Sequence, residues 1–66
     1  MRKDYIYFYL TDKRGRKHYR ECHEDEAYDT IILLLEENAN KGGQGVHMYD
    51  DKSDKWIELC YYNTLD

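Results

Sequence analysis

Tyr5-Ile6-Tyr7-Phe8-Tyr9-Leu10 alternates tyrosine with aliphatic or phenyl side chains, residue by residue. A period of two is that of a β-strand whose side chains point to opposite faces of a sheet. Ile6, Phe8 and Leu10 suit a core. Tyr5, Tyr7 and Tyr9 then form a row on the other face, and so many rings on a solvated face call for a partner, a ligand or a second protomer.

The rest of the chain follows from that strand. Asp12-Lys13-Arg14-Gly15 matches a type I turn with glycine in the left-handed position, which closes a hairpin through a G1 bulge. This turn pairs Asp12 with Arg16, and sets Tyr9 opposite Tyr19 and Ile6 opposite Cys22. A two-residue turn at Arg14-Gly15 is the alternative, and it would shift the register by one and flip the second strand. The paired strands run over about 5–11 and 17–23. Glu24, Asp25 and Glu26 suit the positive end of a helix dipole. A stripe of Ala27, Tyr28, Ile31, Leu34, Leu35 and Asn38 then predicts a helix over about 24–40. Gly42 or Gly43 supplies the exit. A second hairpin pairs about 45–50 with 55–62. Its register sets Met48 opposite Ile57, Val46 opposite Leu59, and Tyr49 opposite Trp56 on the other face.

The order β-β-α-β-β predicts a two-layer α+β domain over 1–66, a four-stranded antiparallel sheet in the order 2-1-3-4 with one helix on one face. The expected core is Ile6, Phe8, Leu10, Ala27, Ile31, Leu34, Leu35, Val46, Met48, Ile57 and Leu59. The expected binding face is Tyr5, Tyr7, Tyr9, Tyr19, His47, Tyr49, Trp56 and Tyr62, interrupted by Glu21 and Glu58. Sixty-six residues bury a small core, so self-association through this face would add stability.

The net charge of −4 conceals a segregation. Residues 1–20 carry seven cations against two acids, and residues 21–66 carry three lysines against twelve acids. Two charged surfaces result. One is a basic hairpin tip of Lys13, Arg14, Arg16 and Lys17. The other is an acidic helix face of Asp25, Glu26, Asp29, Glu36 and Glu37. The longest apolar run, residues 31–35, is too short to cross a membrane, and the N-terminus shows no signal-peptide pattern. Cytoplasmic location and reduced thiols at Cys22 and Cys60 are the expectation.

Residues that carry chemistry do not assemble. On a strand, His18 and Cys22 stand about 13 Å apart, too far to share one zinc ion. Cys22 and His23 point to opposite faces. Gly42-Gly43-Gln44-Gly45 follows a helix and precedes a strand, the reverse of a phosphate cradle. No enzyme, metal or cofactor is expected. The leading expectation is a non-enzymatic binding or regulatory protein, a homodimer or the partner of another protein, acting through the aromatic face. In size and charge the chain resembles the small acidic inhibitors encoded by phage and other mobile elements, which implies inhibition of a host protein. The alternative is a nucleic-acid-binding module in which the basic tip tracks phosphates and the tyrosines stack on bases. Glu21 and Glu58 would oppose phosphate there. The first hairpin and the Glu26-Ala27 helix start also resemble the arm-type DNA-binding domains of phage integrases. The second hairpin departs from that pattern, and no family is assigned.

Overall fold

The computed structural model describes residues 3–60. The elements run β1 (Tyr5–Thr11), β2 (Lys17–His23), a single 3-10 turn (Glu24–Glu26), α1 (Ala27–Asn40), β3 (Gly45–Asp50) and β4 (Lys55–Leu59). The four strands form one antiparallel sheet in the order β2-β1-β3-β4, with α1 on one face, as the sequence predicts.

Turn chemistry sets the first register. Asp12 N donates to Arg16 O and Gly15 N to Asp12 O, both at 2.9 Å, and Gly15 takes a φ of +84°. Left-handed backbone is where glycine carries no steric penalty. Tyr9 therefore faces Tyr19 and Ile6 faces Cys22. The second hairpin also has the expected pairs, Val46 with Leu59, Met48 with Ile57 and Tyr49 with Trp56. Asp50 organises its loop: its carboxylate accepts from Lys52 N and Ser53 Oγ.

The helix begins later than its acidic residues suggest. Glu24, Asp25 and Glu26 form the 3-10 turn, which His23 caps by accepting a bond from Asp25 N through Nδ1. At the other end Gly42 leaves the helix with φ +67°. Asn38 then joins α1 to the sheet, with its backbone oxygen taking Gly43 N at 2.7 Å and its Oδ1 taking Gly45 N at 3.2 Å.

The core is Phe8, Leu10, Leu34, Leu35, Val46 and Leu59, with Ile6, Cys22, Ile31 and Met48 packed against it. Three residues differ from expectation. Ala27, expected in the core, is half-buried and lies outside this cluster, because it is the first residue of α1, at the end of the packed stripe. Ile57 is 41% exposed, because α1 lies mainly over β1, β2 and β3, and β4 is an edge strand beyond that footprint. Tyr28 is 60% exposed, since Ile31, Leu34 and Leu35 fill the interface and leave the longer side chain at its margin. β4 ends at Leu59 rather than at 62; Cys60 follows the strand, and 61–62 lie outside the described residues.

Candidate functional site

Register decides which side chains share the face away from α1. In β1 these are Tyr5, Tyr7 and Tyr9. Opposite them in β2 stand His23, Glu21 and Tyr19, and in β3 His47 stands opposite Tyr9. Tyr49 faces Trp56 and His47 faces Glu58 across β3 and β4. Each expected binding-face residue within the described range thus lies on one sheet face. Tyr62 lies outside the described residues.

Ring contacts gather at two places on this face. The larger is centred on Tyr9, which is only 8% exposed although no described element covers this face. His47 stacks on it with centroids 4.7 Å apart and planes within 10°. Trp56 meets Tyr9 edge-on at 4.8 Å, and Tyr19 lies against it at 5.8 Å. Tyr49 adds an edge contact to Trp56 at 5.4 Å, and Tyr19 and Trp56 approach to 6.2 Å. Tyr9 is thereby roofed by its own neighbours. The water-facing surface is carried by Tyr19, 64% exposed, and Trp56, 37% exposed. Interlocked edge-to-face rings hold one another rigid, as an interface anchor requires.

The smaller group is Tyr5 and His23, edge-on at 5.6 Å at the far end of the β1–β2 hairpin. β1 and β3 pair only from Phe8–Met48 to Thr11–Gly45. Beyond that point a cleft of about 550 Å³ is lined by Tyr5, Tyr7, Met48, Tyr49, Asp50 and Asp51 among others. Tyr9 thus sits in a ring cluster with His47, Tyr19 and Trp56, while Tyr5 packs edge-on against His23.

Charged residues complete the site. Lys17, expected only as part of the basic tip, folds its ammonium over the Tyr9 ring, 4.7 Å from the centroid. The signal for this is parity: once the bulged turn sets the register, Lys17 shares a face with Tyr19. Arg16 turns to Asp12, with Nε 3.0 Å from Oδ2, while Lys13 and Arg14 are exposed. Asp12 also accepts from Arg14 N, Arg16 N and His18 Nε2. Those bonds, that from His18 foremost, hold its carboxyl well below the ordinary value of 3.8. Tyr49 donates its hydroxyl to Asp54, and that bond, with the nearby carboxylates, raises its pKa above 10.0. Glu58 lies over Gly45, whose φ of +148° and missing side chain leave room for the carboxylate.

The acidic helix face is smaller than its sequence suggests. Asp25 and Glu26 belong to the 3-10 turn, and Asp29 and Glu36 are exposed on α1. Glu37 turns toward the sheet, where it meets Arg20 of β2 and Lys41, each at 3.4 Å. Its place three residues after buried Leu34 puts it on the flank of the apolar stripe. The histidines are likewise engaged structurally, His18 with Asp12, His23 at the helix start and His47 on Tyr9. Cys22 lies against the core and Cys60 is exposed. Among the described residues no three histidine, cysteine or carboxylate side chains converge as a metal site would need. No described helix is long and apolar enough to cross a membrane.

Comparison with protein-family models, with curated proteins and with solved structures returns no match.

Proposed function

We propose that this is a non-enzymatic binding protein that recognises another protein through the ring cluster on its open sheet face. One observation carries the reading. Tyr19 and Trp56 stand exposed on a rigid aromatic base, on the face opposite the domain's own core. Tyrosine and tryptophan supply large contact area at low entropy cost and dominate interface energetics. Inhibition by occupying a partner's surface is an activity such a face can exert without chemistry of its own.

The nucleic-acid alternative draws on Lys17 and the basic tip beside the rings. Glu21 and Glu58 lie on the same face and oppose phosphate, which favours a protein partner.

The test compares immobilised wild type with a Tyr19→Ser, Trp56→Ser variant of unchanged circular dichroism. Proteins held by wild type and lost from the variant support the reading. Identical retention by both, or none by either, overturns it. Salt-sensitive binding of single-stranded DNA, lost on Arg14→Glu with Arg16→Glu, would put the nucleic-acid reading in its place.

A further inference from the structure

We infer that the segment received by this face carries arginine, its guanidinium stacking on the exposed Tyr19 ring beside the edge of the Trp56 cluster, between the carboxylates of Glu21 and Glu58. The inference rests on the protein-binding reading above and specifies the partner's chemistry.

The two edge strands present the same arrangement. In β2, Glu21 follows Tyr19 by two residues on the open face; in β4, Glu58 follows Trp56 by two on that face. Because β2 and β4 run in opposite directions, the carboxylates fall on opposite sides of the line joining the two rings. That line crosses the sheet over Tyr9, with the ring centroids 6.2 Å apart. The result is an aromatic ridge with an acid on either flank. Glu58 is exposed and makes no ion pair among the described residues. Asp54, bonded to the Tyr49 hydroxyl, adds a third carboxylate at the end of the cluster.

The cluster already accepts a cation of its own. The Lys17 ammonium sits 4.7 Å from the Tyr9 centroid, so the π-face of this assembly attracts positive charge in place. Tyr19 and Trp56 offer the outer surfaces where an incoming cation would sit. A guanidinium suits them better than an ammonium: it is planar, weakly hydrated, and stacks while its edge donates to a carboxylate. Phosphate would meet Glu21 and Glu58. A second copy placed face to face would bring its own Glu21 and Glu58 against this pair, a like-charge cost within one interface.

The experiment titrates the full chain with a short blocked arginine–glycine peptide at low salt and follows the emission of Trp56, the single tryptophan. Saturable binding is expected, weaker by about threefold or more for the lysine–glycine peptide of equal length. Glu58→Gln and Tyr19→Ser should each weaken it by about three- to tenfold with the circular dichroism unchanged. Absence of saturation, equal binding of both peptides, or an unaffected Glu58→Gln variant overturns the inference. So does saturation by single-stranded DNA instead, or a doubled mass in light scattering with Trp56 emission changing on dilution, which would give the face to a second copy. Failure of the inference alone is recognisable: partners captured by wild type are still lost from the Tyr19→Ser, Trp56→Ser variant, yet the arginine peptide does not displace them.

Discussion

Asp12 shows how one side chain organises a turn. It accepts four bonds, from Arg14 N, Arg16 N, Arg16 Nε and His18 Nε2, and so joins the basic tip to the start of β2. Its folded pKa is depressed, so its contribution to stability is complete above the unfolded value of 3.8 and disappears as pH falls from there through the lower folded value. Asp12→Asn should therefore lower stability at neutral pH, with the gap to wild type closing only below about pH 4, as urea titrations across pH would read. Tyr49 has the opposite sign. Its raised pKa means that its bond to Asp54 is stabilising below pH 10.0 and lost as pH rises through the higher folded value. Asp54→Asn should bring the Tyr49 titration down toward 10.0, seen as tyrosinate absorbance by difference from a Tyr49→Phe, Asp54→Asn control. The hub role of Asp12 is half legible in the chain: Asp at the first turn position and Gly at the fourth announce the turn. His18 joins because even positions of β2 return to the helix side only once the bulge is in place.

At the scale of elements, α1 is joined to the sheet through Asn38 and Gly43. A Cβ at Gly43 would overlap Asn38 Oδ1 and approach Thr11 O to 3.0 Å. Gly43→Ala should cost about 1–3 kcal/mol, and Asn38→Ala, which loses the bond to Gly45 N, about 1 kcal/mol, both by chemical denaturation. The helix footprint makes a second contrast. Leu35→Ala removes a core side chain and should cost about 2–5 kcal/mol, enough to unfold much of so small a domain. Ile57→Thr, beyond the footprint, should cost less than about 1 kcal/mol. Both leucine and isoleucine read as core in the linear pattern. Strand alternation says which face a residue takes, and is silent on how far a single helix reaches across that face.

For the whole molecule, the division of labour is between two faces of one sheet. The face under α1 holds the core, and the other holds a ring cluster that closes over Tyr9 while leaving Tyr19 and Trp56 to water. Trp56→Ser should accordingly reduce partner binding far more than it reduces stability, whereas Leu34→Ala should reduce both, with thermal melts and capture assays on the same samples separating the two effects. Both hairpin registers and the sidedness of the rings were legible from rules that act within a strand or across one turn: a period of two, the backbone demands of a bulged turn, and the pairing of apolar with apolar. Strand order needed one longer-range argument, that β1 beside β3 lets the helix cross over while every neighbouring pair stays antiparallel. What the tertiary structure alone decided was reach and proximity: the exposure of Ile57 and Tyr28, the turn of Glu37 toward Arg20, the parting of β1 from β3, and the seat of Lys17 over Tyr9. These depend on where the helix axis crosses the sheet and how the strands diverge, and periodicity along the chain carries no record of either.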